Sequence, residues 1–175
     1  MTSNVVPNPE VVALLSAASI AGPGMPDGND GALQQIAGQS LLGHQMHALQ
    51  AAGVSSFLIE VDNVPGELLN LADNIRQSGA RVQFVRSVND LRNFLKPQGR
   101  LVIQAEAHYF STSTVSALMQ QAGAFVATVD GRDENAAFER IDLNTRWAGF
   151  AVLDAPAALS MVELPVGWSI ASSLL

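Results

Sequence analysis

Short apolar runs alternate with longer segments of helical spacing along this chain. Residues 11–15, 57–61, 82–85, 101–104 and 125–129 are runs of four or five mostly apolar residues. Each suits a strand and is too short for a helix. Residues 11–15 form an unbroken apolar run, as a parallel strand buried on both faces requires. Between them, residues 41–52 carry Leu41, Leu42, Met46 and Leu49, and residues 65–78 carry Leu68, Leu69, Leu71, Ala72 and Ile75. Both sets recur at steps of three and four, and Gly53 and Gly79 follow as C-terminal stops. Residues 88–95 predict a short helix with Ser87 or Asn89 as its N-cap, and residues 113–121 predict another that begins near Ser111. Residues 138–142 and 147–153 predict a strand pair, and residues 155–161 a helical turn. Residues 1–10 read as a loose lead-in, and residues 16–31 as a long loop of Ala, Gly, Pro, Asn and Asp. The alternation predicts one α/β domain over residues 11–175: a three-layer, Rossmann-like, mainly parallel sheet with helices on both faces.

Composition narrows the function classes. A length of 175 residues suits a single domain. With 48% hydrophobic and only 14% charged residues, the chain is not of the disordered class. Its net charge is -7 and its nine basic residues are scattered, with one loose group over 86–100, so no nucleic-acid partner is expected. The absence of cysteine removes disulfides, thiolate chemistry and cysteine zinc sites. It fits a reducing compartment, and a cytoplasmic location is the expectation. No apolar run reaches the roughly 18 residues of a membrane span, so no direct insertion of this segment is expected. No basic stretch precedes the apolar residues 11–20 as it would in a signal peptide. The last four residues, Ser-Ser-Leu-Leu, read as a helix just beginning. The expectation is therefore a domain from a longer protein, with a fused or partner domain beyond Leu175.

Common catalytic patterns are missing. No Gly-x-Ser-x-Gly elbow accompanies His44, His47 or His108. His44 and His47 lie three apart on a predicted helix and share a face, yet no local Glu or Cys joins them, so they read as helix-surface residues. Gly22-Pro23-Gly24 lacks the third glycine of a dinucleotide fingerprint, and its proline removes a donor.

Residues 31–61 carry a more specific pattern: Gly31, then Gly38-Gln39-Ser40-Leu41-Leu42, a helix, Ala52-Gly53, then a strand. This frame resembles the first loop, helix and second strand of the sugar-nucleotide pyrophosphorylases and molybdenum-cofactor-type nucleotidyltransferases. Their form there is roughly Pro-Lys-x-Leu-x-x-x-x-Gly-x-Pro-Leu-Leu. As a looser pattern the resemblance extends over most of residues 11–160. It implies a nucleotide-diphospho-sugar-transferase (GT-A-like) fold that binds a nucleoside triphosphate beside the first strand. It also implies transfer of the nucleotidyl group to a phosphorylated small molecule, a sugar- or alcohol-phosphate.

The resemblance also places the chemistry, and there the chain departs from it. A glycine-rich loop wraps the triphosphate with backbone N–H groups in these enzymes. Here Ser16, Ala17, Ala18 and Ser19 stand at that place, or else residues 21–24 with Gly22 and Gly24 do; counting back from Gly38 favours the first. Neither alternative supplies the family's loop arginine, since no basic residue precedes Arg76. Asp30-Gly31 replaces the Pro-Lys whose lysine neutralises the departing pyrophosphate, and no lysine precedes Lys96. The aspartate that holds Mg²⁺ after the middle strand corresponds to Glu106, with His108 nearby and Asp154 as a second candidate carboxylate. The late strands, 137–142 and 147–151, resemble the family's substrate-side hairpin; Glu139 and Arg140 are expected to face solvent and Trp147 to pack on the sheet edge. No catalytic residue is assigned. The expectation is a nucleotidyltransferase-like domain, using Mg²⁺ if active, with weakened or lost catalysis. The alternative is a non-catalytic binding, regulatory or assembly domain of a larger protein.

Overall fold

The apolar runs become the centre of one seven-stranded sheet. The computed structural model describes residues 10–18, 30–86, 88–106, 108–136 and 138–160. In chain order β1 (Val11–Ser16) is followed by a single turn, α1 (Asp30–Leu33), and a small hairpin of β2 (Gln35–Ile36) and β3 (Gln39–Ser40). Then come α2 (Leu41–Ala51), β4 (Ser56–Glu60), α3 (Gly66–Gln77), β5 (Arg81–Val85) and a 3-10 segment at Val88–Asn93. β6 (Arg100–Gln104), α4 (Thr112–Met119), β7 (Phe125–Asp130), β8 (Glu139–Arg140), β9 (Thr145–Asp154) and α5 (Ala155–Ser160) complete the set.

The sheet order is β5-β4-β1-β6-β9-β7, with β8 paired to β9. β5, β4, β1 and β6 are mutually parallel, and β9 is antiparallel to β6, β7 and β8. Side-chain alternation then divides the core into two. Ala13 and Leu15 of β1 join Phe57, Ile59 and Val102 beneath α2, α3 and α4. Val12 and Leu14 join Leu58, Leu101 and Ile103 beneath Leu91, Leu95 and α5 on the other face. Each fully buried Leu or Phe here contributes about 1.5–3 kcal/mol. The central strands β1, β4 and β6 are buried on both faces, as their largely apolar runs require. Edge strand β5 instead alternates, with Arg81 and Gln83 exposed.

Local chemistry sets the helix ends. Ser40 Oγ accepts the Gly43 N–H at 3.1 Å at the start of α2, and Gly53, at φ +94°, ends that segment. Ser111 Oγ accepts the Thr114 N–H at 3.2 Å at the start of α4. No helix among the described residues is long and apolar enough to cross a membrane.

Three expectations change. The short helix expected over residues 88–95 is a 3-10 segment that ends at Asn93; Ser87 and the Asn89 side chain lie outside what is described. The second-last strand shrinks to Glu139–Arg140, because Asp142 Oδ1 accepts the N–H groups of Asn144 (2.7 Å) and Thr145 (2.9 Å) and turns the chain early. Trp147 is not at an edge: β9 runs between β6 and β7, and Trp147 is 2% exposed. Glu139 and Arg140 are exposed, as expected.

Strand order reverses at β1, since the chain builds outward through β4 and β5 and then returns to add β6 on the other side. The chain therefore leaves β1 toward β4 and leaves β6 toward β7, in opposite directions along the sheet, and the carboxyl ends of β1 and β6 form the switch point at which open α/β sheets hold a ligand crevice.

Candidate functional site

Four segments meet at this crevice. Ser16, Ala17 and Ala18 leave β1, Glu60 ends β4, Glu106 follows β6, and α1 brings Gly31 and Ala32. Glu106 points at α1: a Cβ on Gly31 would lie 2.8 Å from Glu106 Oε1, so a side chain there would meet the carboxylate. Glu106 Oε2 is buried with no hydrogen-bond partner. Burial raises the Glu106 carboxyl above the ordinary carboxylate range, the Ala32 N–H acts the other way, and the Glu60 charge adds to the rise. Glu60 is raised as well, by burial and by Asp62. The crevice thus holds carboxylates that have lost water and repel one another.

The described partners of Lys96 and of Arg76, Arg81, Arg100, Arg132 and Arg146 all lie away from these carboxylates. Arg81 and Lys96 hold Glu10 at the amino end of the sheet. Arg76 bonds Val82 O and Asp73, and Arg100 bonds the carbonyls of Gln121 and Gly123. Arg132 pairs with Asp130, and Arg146 donates to Phe138 O at 2.8 Å. Arg86 follows β5, two strands from β1, Arg92 lies in the 3-10 segment, and Arg140 is exposed on β8.

The turn after β6 is held from below. Gln45 of α2 is 2% exposed, and its Nε2 donates toward Ala105 O (2.9 Å), Glu106 O (3.2 Å) and His108 O (2.8 Å). Gln104 Nε2 also donates to His108 O, at 3.0 Å. The His108 ring lies against Gly149 and 5.3 Å from the Phe138 ring. Its burial lowers the imidazole from its ordinary value, and Nδ1 has no partner.

No protein-family model matches the sequence, and no curated protein sequence matches it significantly. Solved structures do match. A putative glucose-1-phosphate thymidylyltransferase from Bacillus anthracis, in complex with sucrose, superposes with a TM-score of 0.66 at 12% identity over 94% of this chain and 78% of that one. UDP-glucose pyrophosphorylase complexed with UDP-glucose gives 0.63 at 12% identity over 89% and 80%. HddC from Yersinia pseudotuberculosis, complexed with GMP-PN, gives 0.60 at 10% identity over 84% and 78%. The fold is that of the sugar-nucleotide nucleotidyltransferases.

Within the nucleotidyltransferase fold, the sequence-predicted positions separate. Ser16, Ala17, Ala18 and Glu106 come together at the crevice; Gly22 and Gly24 lie outside the described residues. The N–H groups of Ala17 and Ala18 already donate to Glu60 O (2.8 Å) and Ser16 Oγ (3.3 Å). Gly31, where the resemblance places a lysine, instead adjoins the Glu106 carboxylate. Asp154 is not brought to Glu106. It pairs in register with Arg100 at the opposite end of β6, a strand length of roughly 13 Å from Gln104. There its Oδ1 accepts the Ala157 N–H at 3.0 Å and caps α5. His44 and His47 serve α2 and the small hairpin through Ile36 O and Gly43 O, each at 2.8 Å.

Sequence reading missed Glu60 and Gln45. Both carried a signal: Glu60 interrupts an apolar run at its carboxyl end, and Gln45 sits three and four residues beyond Leu42 and Leu41 on the apolar face of α2. A polar side chain at such a core position must find buried partners.

Proposed function

We propose that this chain is a nucleotidyltransferase-fold domain in which nucleotidyl transfer is lost and the crevice serves binding. The observation that carries the proposal is a crevice that gathers Glu60, Asp62 and Glu106 while the described ion pairs of Arg76, Arg81, Lys96 and Arg132 all lie elsewhere. Displacement at an α-phosphate builds negative charge on the departing pyrophosphate, and enzymes stabilise it with fixed cations. Replacing those cations by a glycine and a cluster of carboxylates removes the largest electrostatic contribution to the reaction.

A divalent cation fits the residues that remain. Mg²⁺ commonly takes one or two carboxylates together with ligand phosphates and waters. Glu106, with a buried and partnerless carboxylate oxygen, would hold it, and Glu60 would supply further negative charge. The ion would screen the carboxylates and bring a phosphorylated ligand into a crevice that otherwise repels anions.

The test combines titration calorimetry and a pyrophosphate-release assay. ATP, CTP, GTP and UTP are each titrated with and without Mg²⁺, then incubated with sugar- and alcohol-phosphates. The expected result is Mg²⁺-dependent binding without pyrophosphate. Turnover with any pair would overturn the loss of transfer. Absence of binding up to millimolar nucleotide would overturn the binding role of the crevice and leave assembly through the surface.

A further inference from the structure

We propose that Gln45 is the positioning residue of the crevice: from the core face of α2 it ties down the backbone of the turn after β6 and so fixes where the Glu106 carboxylate stands. The inference rests on reading the crevice as the functional site, but its test needs neither ligand nor turnover.

The turn runs from Ala105 to His108 and aims three carbonyls, Ala105 O, Glu106 O and His108 O, at the interior. Buried carbonyls must be paired. Gln45 supplies one amide nitrogen with two hydrogens to all three, at 2.9, 3.2 and 2.8 Å, so its donors are shared. Gln104 adds a single bond to His108 O, and the His108 N–H returns to Ala105 O at 3.3 Å. Nothing else described donates to Glu106 O. The helix that carries Gln45 is otherwise apolar on this face, where Leu41, Leu42, Met46 and Leu49 are buried. Its position is therefore fixed by packing, and Gln45 transmits that position to the turn.

The consequence for Glu106 is geometric. Its backbone is anchored to α2 through Gln45, and its carboxylate meets α1 through the Ala32 N–H and the open face of Gly31. Two helical elements at the same side of the crevice thus determine one side chain. An apolar residue at position 45 leaves Glu106 O without its described donor and Ala105 O and His108 O with only the bonds from the His108 N–H and Gln104. The turn then moves outward to water and carries Glu106 off Gly31.

The test is nuclear magnetic resonance of the full chain, free of metal and nucleotide. Two signals are read: the contact between the Gly31 α-protons and the Glu106 γ-protons, and the Ala32 amide proton shift set by its carboxylate acceptor. Gln45→Met removes the donor at nearly constant volume, and Gln45→Asn keeps the amide but withdraws it by one methylene. Val115→Ala, at the buried position of α4, is the control: it lowers stability without removing a hydrogen bond to the turn. The expected result is loss of the Gly31–Glu106 contact and an upfield Ala32 amide in Gln45→Met, an intermediate state in Gln45→Asn, and no change in Val115→Ala. If Gln45→Met does not fold, Gln45→Asn decides alone. Wild-type signals in either folded glutamine variant would overturn the proposal, as would the same changes in Val115→Ala. Since no nucleotide is present, a failure of nucleotide binding leaves this result readable.

Discussion

The His108 imidazole occupies the space that a side chain on Gly149 would need. A Cβ there would lie 2.5 Å from His108 Cγ and 2.6 Å from Cδ2, and Gly149 has φ +84°. The glycine thus meets two requirements at once, a left-handed backbone in the middle of β9 and a flat surface for the ring. The backbone strain alone costs a non-glycine residue about 1–2 kcal/mol, and the ring contact adds to it. Gly149→Ala is expected to lose at least about 2 kcal/mol in urea unfolding. Part of that loss should return when His108→Ala is added. An equal loss in both backgrounds would assign the whole cost to the backbone and none to the ring.

Burial also makes His108 an acid-sensitive element. Its folded-state value is lowered from 6.5, so the unfolded chain binds the proton more tightly. Its contribution is present above pH 6.5 and is lost as pH falls through the folded value. The groups around it do not rescue the imidazolium: Arg146 on β9 is cationic and engaged with Phe138 O, and Arg140 and Glu139 on β8 are exposed. Glu106 precedes it on the same turn with its carboxylate toward α1. His108→Phe retains a ring against Gly149 and Phe138 but cannot titrate. Between pH 7 and pH 5 the wild type should lose stability relative to this variant, and parallel profiles would sink the assignment.

The parts of the fold set by local chemistry were legible in the sequence, and the parts set by contacts between distant segments were not. The strand runs 11–15 and 101–104 and the helices of residues 41–52 and 65–78 follow from apolar period and glycine stops. The small hairpin of β2 and β3 did not, because Gln35, Ile36, Ala37 and Gly38 are exposed and carry no period. Its turn also places Ala37, a residue without turn preference, at φ +51°. Glu106 was singled out by the family resemblance, at the place of its aspartate after the middle strand. Asp154 was grouped with it because chain order does not tell which end of an antiparallel strand a residue occupies. Only the β6–β9 register, Arg100 against Asp154 and Gln104 against Phe150, separates the two.

The carboxylates act in the opposite sense to His108. Glu60 and Glu106 both have folded-state values raised above 4.5, so the folded chain binds their protons more tightly than the unfolded chain. Their contribution is full below pH 4.5 and is lost as pH rises through the folded values. Glu106→Gln keeps an acceptor for the Ala32 N–H and removes the charge. At pH 7 the variant should be more stable than wild type, and the difference should vanish below pH 4.5. A variant less stable at pH 7 would mean that the Glu106 charge has a partner in the crevice.

The opposite ends of β6 give the sharpest test of where a cation binds. Desolvated carboxylates that repel each other gain most from a divalent ion, and only the Glu106 end has them; Asp154 is exposed and already capping α5. Paramagnetic Mn²⁺ titrated into the metal-free chain should broaden resonances of Glu106, Glu60 and Ala32 while leaving those of Asp154 and Ala157 sharp. Glu106→Ala should abolish the effect. Asp154→Ala should leave it intact while costing about 1 kcal/mol through the lost cap of α5. Broadening centred on Asp154, or persisting in Glu106→Ala, would move the cation site away from the crevice and take with it the role proposed for Glu106.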